Sequence, residues 1–164
     1  FMNTFDTLKT TFGTTDMVLT SYVSDLSDDD LMSRPGAGCN HIAWQLGHLI
    51  SSESNLLNMI KEGSGMELPD GFAEKHSKET TGSDDATQFC SKDEYLELYS
   101  KTRANSLAVL EGLSADEMNA PAPDEFKNFC PTMGAVAVLV ATHPMMHVGQ
   151  FVPVRRALDK PILI

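Results

Sequence analysis

Four long segments of this sequence place apolar residues every three or four positions, and no pair of segments has the character of paired strands. Such a repeat puts the apolar side chains on one face of an α-helix. We therefore expect an all-α fold in which four helices pack as a four-helix bundle. The segments cover about residues 4–26, 41–62, 92–113 and 133–158. A length of 164 residues suits a single domain, which we expect to cover residues 2–164.

The connection between the second and third predicted helices is unusually long. Residues 63–90 are rich in Gly, Ser, Thr, Asp and Lys and show no sustained period, so we expect no more than one short helical turn there. Neighbouring antiparallel helices usually need links of only ~2–8 residues. A longer link can cross the length of a bundle, and it therefore predicts an up-down-down-up course of the four helices.

Polar signals mark where several predicted helices begin. Ser91 followed by Glu94 has the pattern of a capping box, in which each residue bonds the other's backbone. Ser114 and Glu117 repeat this pattern before a short turn. Asn40 is a suitable N-cap for the second long helix. These signals place the helix starts independently of the apolar repeat.

The last segment contains two prolines, Pro144 and Pro153. Each removes a helical hydrogen bond and costs ~3 kcal/mol in a helix interior. Two helices broken at the prolines is one alternative. We favour a single kinked helix, partly because Gly149 gives the backbone room to distort. Pro144 also frees the Val140 carbonyl beside His143, and such distortions often accompany functional sites.

The acidic composition limits the partners of this chain. The chain has 23 acidic and 12 basic residues, and its formal net charge of −11 repels nucleic acids and anionic membranes. The longest apolar run, residues 135–141, is too short to span a bilayer. The opening residues lack the pattern of a secretory leader. We expect a cytoplasmic protein that binds neither nucleic acid nor membrane.

The cysteines fit the same expectation. Cys39, Cys90 and Cys130 are odd in number, widely spaced and without a Cys-x-x-Cys pattern, which indicates reduced thiols. Cys130 lies near the last helix and is a candidate nucleophile or ligand. An incidental buried thiol is the favoured interpretation, because free cysteine usually behaves as a small apolar residue.

Two histidines four residues apart, His143 and His147, are the main candidates for chemistry. They share one face of a helix, one turn apart, which is how a helix offers two nitrogen ligands to one metal ion. His48 lies in the second apolar helix, and we predict that it completes a three-histidine metal site. The alternative, a pair of ordinary core or surface histidines, carries about half the weight for a bare His-x-x-x-His.

The remaining polar candidates receive secondary roles. His41 is expected at the cap or rim of the second helix, since residues in a first helical turn are usually solvated. His76 lies among charged residues and is expected on the surface. Gln150 and Glu53 are candidates to orient the imidazole rings, with the surface as the default position of Glu53.

Three neutral imidazoles on one divalent ion leave coordination positions open, as in catalytic sites. Zinc or nickel suits such an all-nitrogen site. The ion would lower the pKa of a bound water or thiol, and the resulting thiolate is a strong nucleophile. Arg155 and Arg156 either hold a substrate carboxylate or balance the end of the last helix, and we favour the second role.

The histidine-bearing segments resemble the DinB-like (damage-inducible) superfamily, which includes the YfiT-like metalloenzymes. The resemblance rests on Asn40–Leu49 (NHIAWQLGHL), on His143-x-x-x-His147-x-Gly149-Gln150 and on Arg155-Arg156. It implies a four-helix bundle with up-down-down-up topology and a metal held by His48, His143 and His147. Similar proteins include transferases that conjugate low-molecular-weight thiols to electrophiles, a thiol-dependent maleylpyruvate isomerase and members without an assigned activity. Pro144, beside a ligand, departs from the pattern.

Three hypotheses of function follow. The first is a divalent-metal-dependent enzyme, either a thiol-dependent S-transferase or a hydrolase acting on a small molecule. The second is a non-catalytic small-ligand-binding or stress-response module with a vestigial metal site, since no acidic residue clearly lies on the ligand face to act as a general base. The third is a helical interaction protein, a homodimer formed through exposed methionines and the apolar tail Ile162-Leu163-Ile164.

Overall fold

The computed structural model describes residues 1–163, and within these residues the secondary structure is helical, with no strand. Four long helices match the four segments of the sequence repeat, and three short helices lie in the connections. The long helices are α1 (Thr4–Ser24), α3 (Ile42–Ile60), α5 (Lys92–Glu111) and α7 (Met133–Ala157). The short ones are α2 (Asp28–Leu31), α4 (Phe72–Lys75) and α6 (Ala115–Asn119). The all-α prediction is confirmed.

The helix starts follow the local polar signals at all but one of the predicted sites. Capping boxes at Ser91 and Ser114 open α5 and α6. The prediction for α3 is wrong by one residue, because His41 rather than Asn40 is the N-cap. The Trp44 backbone N–H donates to His41 Nδ1 at 3.0 Å. The expected position of His41 at the cap is confirmed, but its side chain is fully buried, so the expectation that it is solvated is wrong.

The long helices pack in a ring in which α1 contacts α5 and α7, and α3 contacts the same two helices. Two apolar clusters fill the space between them. The first includes Leu19, Ile50, Tyr95 and Phe151, and the second includes Phe12, Leu57, Leu110 and Val136. Each fully buried side chain of this size contributes ~1.5–3 kcal/mol relative to an exposed one. The apolar repeat of the sequence therefore supplies most of the core.

A buried arginine joins all four long helices. Arg103 of α5 donates to Asp16 at 2.7 Å and to Glu53 at 3.0 Å, and its guanidinium lies 3.8 Å from the ring centre of Phe12. Ser106 donates to the other Glu53 oxygen at 2.6 Å. Burial raises the pKa of Glu53, and Arg103 and Ser106 oppose that shift. The expected surface position of Glu53 is wrong, because its partners lie about fifty residues away.

The same arginine supports α7 where Pro144 interrupts it. Pro144 has no N–H to donate to the Val140 carbonyl, and Arg103 Nη1 donates to that oxygen at 2.9 Å instead. The Ala141 carbonyl accepts from Thr15 Oγ1 at 3.0 Å. α7 continues as one helix through both prolines, as we favoured over two broken helices. A non-local donor therefore replaces the hydrogen bond lost at Pro144.

The long connection is more ordered than the sequence predicts. Besides α4 it contains two 3₁₀ turns, Lys78–Thr80 and Ala86–Gln88. Arg34 donates to the carbonyls of Thr81 and Ser83 and to the Asp84 carboxylate. Trp44 Nε1 donates to the Ser77 carbonyl at 3.1 Å. These bonds hold the connection against α3 and against the segment that precedes it.

His76 is the firmest of these anchors, and its predicted surface position is wrong. Its side chain is buried, and its Nδ1 lies 2.7 Å from the Phe72 carbonyl, so Nδ1 carries the proton. Tyr95 then donates its hydroxyl to Nε2, also at 2.7 Å. A Cβ at Gly47 would collide with the ring, which shows why α3 has a glycine there. Burial lowers the pKa of His76 to about 4, and the ring is neutral.

The C-terminal end of α7 is tied to α1. Arg155 is fully buried and donates to both carboxylate oxygens of Asp25, at 2.6 and 3.1 Å, and to the Tyr22 carbonyl. It therefore joins two helices, while its role in balancing the end of α7 stays a prediction, and Arg156 is exposed. Ile162 and Leu163 are exposed as well, while Ile164 lies outside the described residues.

α7 is long and apolar enough to cross a membrane when length and composition alone are considered. The core helix of a soluble protein passes the same test. Here α7 packs against α1 and α3, which cover residues such as Ala137 and Phe151. In this structure α7 behaves as a core helix of the bundle.

Candidate metal centre

The structure brings His48, His143 and His147 together between α3 and α7. Their ligand nitrogens all lie within 4.8 Å of one another. The Nε2 atoms of His143 and His147 are 3.2 Å apart, and the His48 ring centre is 5.4 and 5.2 Å from theirs. His147 is buried, and the other two are half-buried. The predicted convergence of the three rings is thus present in the fold.

These distances suit one divalent ion. Nitrogens bound at ~2.0–2.1 Å to a tetrahedral zinc lie roughly 3.3 Å from each other. The 3.2 Å between His143 and His147 meets this value, and the His48 nitrogen lies within 4.8 Å of both. Within residues 1–163, no Asp or Glu joins the group at ligand distance. The donor set consists of three imidazoles.

Gln45 orients the most buried of the three rings. Its Oε1 lies 2.9 Å from His147 Nδ1, and its own amide donates to the Asn40 carbonyl at 2.7 Å. The amide therefore faces the ring with its oxygen, which places the His147 proton on Nδ1 and leaves the Nε2 lone pair for the cluster. The candidates named from the sequence are wrong, because Gln150 is exposed and Glu53 binds Arg103.

His48 is held by stacking. The ring of Trp44, one turn earlier on α3, lies 5.0 Å from it with an angle of 7° between the planes. Trp44 is itself fixed by the hydrogen bond from its Nε1 to Ser77. Gln45 and Trp44 lie three and four positions before His48 on α3. This helical spacing is the sequence signal that places both side chains near the His48 ring.

All three rings are neutral at neutral pH. Burial lowers the pKa of His147 to about 3 and that of His143 to about 4, and the neighbouring rings add to both shifts. Burial also lowers the pKa of His48. Neutral imidazole is the form that binds metal, so the folded chain keeps these nitrogens ready to bind without loss of a proton.

The lowered pKa values predict that the metal-free protein loses stability in acid. The unfolded chain takes up protons as the pH falls below ~6.5, while folded His147 stays neutral, so stability is full above that pH and declines below it. At pH 5, His147 alone should cost about 2 kcal/mol, at 1.36 kcal/mol per unit. Urea unfolding at pH 7.5 and 5.0 with a chelator should show this loss in wild type and a smaller loss in His147→Gln. Equal losses would contradict the assignment.

Removing the orienting amide should weaken metal binding without emptying the site. Gln45→Leu leaves the His147 Nδ1 proton without an acceptor, and loss of such a partner typically costs ~10–100-fold in metal affinity. Gln45→Glu keeps an acceptor and should bind at least as tightly as wild type. Competition with a chelator measures both affinities. Equal affinity of Gln45→Leu and wild type would show that Gln45 does not support the site.

A cavity of about 350 Å³ adjoins the cluster at His48. It lies between α3, the connection around α4 and the segment before α7. A larger cavity of about 520 Å³ lies between the start of α1, α6 and the start of α7, and none of the described residues that line it is a histidine. The smaller cavity is the one with access to the candidate chemistry.

The cysteines lie outside this group. Cys130 is buried in the second apolar cluster, and burial raises the pKa of its thiol. Cys39 and Cys90 are half-buried, and burial also raises the pKa of Cys90. A raised pKa disfavours the reactive thiolate. The favoured interpretation of Cys130 as an incidental buried thiol agrees with this position.

Comparison with known proteins gives one result that bears on the histidine cluster. No curated protein and no solved structure matches the chain. The family model of the DinB superfamily matches residues 11–151, a range that includes α3 and all three histidines. Since this range covers most of the sequence and agrees with the helical fold, the chain belongs to the DinB superfamily.

Proposed function

We propose that this protein is a divalent-metal-dependent enzyme that activates a low-molecular-weight thiol for transfer to a small electrophile. The convergence of three neutral imidazoles beside a cavity carries the proposal. His48, His143 and His147 would hold the ion, with zinc or nickel favoured by the all-nitrogen donor set. Such an ion supplies Lewis acidity, which lowers the pKa of a thiol or water that reaches its open positions.

The residues around the cluster prepare it for this role. Gln45 holds the proton of His147 on Nδ1, so the lone pair of Nε2 remains available to bind a metal ion. Trp44 fixes the plane of His48 at the edge of the cavity. In the loaded site the His147 ring would not take a proton released by a substrate thiol, because Nδ1 carries a proton and Nε2 would bind the ion. That proton leaves to solvent, because no carboxylate adjoins the cluster within residues 1–163.

The missing carboxylate favours a thiol over water as the nucleophile. Metal-dependent hydrolysis often uses a glutamate general base beside the metal. The buried glutamate of α3, Glu53, is instead bonded to Arg103 and Ser106. A free thiol has a pKa of ~8.5, so a divalent ion can ionise it at neutral pH without a base. A hydrolase is therefore the less favoured form of the enzyme.

The same observation supports a second candidate, a non-catalytic small-ligand-binding or stress-response module. In that case the cavity beside His48 holds a ligand, and the histidines bind metal weakly or not at all. This candidate predicts that a ligand raises the melting temperature while no thiol reaction is accelerated.

Thiol transfer can be tested directly. Zinc- or nickel-loaded protein would be mixed with cysteine or glutathione and an electrophile such as 1-chloro-2,4-dinitrobenzene, and the rate compared with that of His48→Ala. We expect acceleration only in wild type. Metal-loaded wild type that accelerates none of a panel of thiol and electrophile pairs would reject the transferase and favour the binding module.

We also propose the up-down-down-up course for the four long helices. Contacts between α1 and α7 advance along both helices together, and those between α1 and α5 run in opposite directions. The contacts are Thr15 with Ala141, Tyr22 with Arg155, Asp16 with Arg103 and Ser24 with Lys92. The long connection then returns the chain from the end of α3 to the start of α5.

A further inference from the structure

The larger cavity lies at the end of the bundle where α1 and α7 begin and α5 ends, and α6 forms its remaining wall. Its volume of about 520 Å³ is within the ~300–1,000 Å³ that is usual for small-ligand pockets. None of the three histidines of the candidate metal centre lines it. This cavity is therefore separate from the chemistry proposed above.

α6 is fixed as a wall of the cavity by its packing on the start of α7. The Met133 N–H donates to the Ala120 carbonyl, just after α6, at 2.9 Å. Gly134 allows a close approach of the two helices, because a Cβ there would lie only 3.0 Å from the Met118 carbonyl oxygen. The shape of the cavity is thus built into the fold, as is usual for pockets that bind small molecules.

Much of the lining is apolar and faces solvent. Val138 of α7 is 51% exposed although it lies on a helix that packs into the core. A molecule in the cavity would cover such surface, which stabilises the bound state. The apolar side chains of the lining are Phe5, Leu8, Leu110, Leu113, Met118 and Val138. They favour an occupant with an apolar body.

Glu111 is the charged side chain of the described lining. Other polar side chains there have local partners: Asn3 and Thr132 cap α1 and α7, and Asn119 donates to the Ala115 carbonyl. Glu111 has no hydrogen bond or ion pair among the described residues. Because the described lining contains no Lys, Arg or His, no cation of the wall balances this carboxylate.

The helix that carries Glu111 adds to the negative potential at this point. Glu111 is the last residue of α5, and the last turn of α5 contains no basic residue. The C-terminal end of a helix carries a partial negative charge, which basic side chains usually balance. A positively charged group beside Glu111 would therefore be stabilised by the carboxylate and by the helix end together.

We propose that this cavity binds a small amphiphilic cation, a primary amine on an apolar body, whose ammonium group pairs with Glu111. The apolar body would lie against Leu110 and Val138. A volume of about 520 Å³ accommodates on the order of fifteen non-hydrogen atoms, at ~30 Å³ for each water-sized group. The net charge of −11 also attracts cations to the protein. Binding here requires no metal ion, so it is independent of the proposed thiol transfer.

4-Phenylbutylamine and 4-phenyl-1-butanol are matched probes, because they share an apolar body and differ in charge. An alkylammonium resembles the lysine side chain, whose pKa of ~10.4 keeps it charged at pH 7. Titration of the full chain, followed by NMR of backbone amides, should shift α6 and the starts of α1 and α7. The amine should bind more tightly than the alcohol. Glu111→Gln should weaken amine binding about 5-fold, the upper range for an exposed charge pair, and leave alcohol binding unchanged.

Glu62→Gln is the matched control. Glu62 is an exposed acid just after the end of α3 and does not line the cavity, so this variant should bind the amine like wild type. Val138→Phe enlarges a side chain of the wall and should weaken both probes. Equal amine affinity in Glu111→Gln and wild type, or an equal loss for both probes, would overturn the pairing with Glu111. No shifts around the cavity with either probe would overturn the site.

Discussion

His147→Ala is expected to lose stoichiometric zinc, with affinity reduced by more than ~100-fold. His147 is the most buried of the three histidines, and the bond from Gln45 fixes its lone pair toward the cluster. Loss of an orienting partner alone typically costs ~10–100-fold, so loss of the nitrogen itself should exceed that range. Elemental analysis of dialysed protein and competition with a chelator measure the effect.

Thermal unfolding gives an independent readout of the same change. Zinc at 100 times its Kd should stabilise wild type by about 2.7 kcal/mol, whereas His147→Ala should not respond. Met146→Ala is the control, because Met146 is the preceding residue on α7 and its side chain is 62% exposed. This control should bind zinc like wild type. Full zinc content in His147→Ala would show that His147 is not a metal ligand.

Arg103→Met should have the largest effect on stability, a loss of ~3–5 kcal/mol. It leaves the Glu53 carboxylate buried without its cation, and removal of one partner of a buried ion pair has this cost. The variant also leaves the Val140 carbonyl without its donor at Pro144. Urea unfolding at neutral pH measures the loss. A change below 1 kcal/mol would show that the buried pair contributes little.

Two further variants separate charge from packing at this position. Lys101→Met, two residues earlier on α5, removes an exposed pair with Glu97 and should change stability by no more than ~0.5 kcal/mol. Adding Glu53→Gln to Arg103→Met should restore part of the loss. In Arg103→Met the pKa of Glu53 rises further, so the folded protein takes up a proton in acid. Its deficit relative to wild type should therefore be smaller at pH 5 than at pH 8.

The features predicted well from the sequence are those set by neighbours along the chain. The capping box of Ser91 and Glu94 closes within one helical turn, and it marks the start of α5 correctly. The spacing of His143 and His147 is likewise local, since four helical positions fix their common face. His48 was connected to this pair by its position in a second apolar helix and by the family resemblance, which the match over residues 11–151 supports.

The errors concern polar residues whose partners are distant in sequence. Glu53 is a charged residue, and His76 has charged neighbours in the sequence. Both features are typical of surface positions. Arg103 compensates the first, and Tyr95 with Gly47 accommodates the second. The residues next to Glu53 and His76 in the sequence do not indicate these distant partners. The burial of the two side chains therefore could not be predicted from local sequence.

The placement of the histidines on α3 and α7 gives a bound ion a mechanical consequence. The ligand His48 on α3 lies about a hundred positions before the ligand pair on α7, so an ion held between these helices would act as a cross-link that closes a very long loop. Clips that close long loops remove the most conformational freedom from the unfolded chain. A protease cut between α4 and α5 would leave His48 on one fragment and the α7 pair on the other. The ion would then link the two fragments, and a chelator would weaken their association.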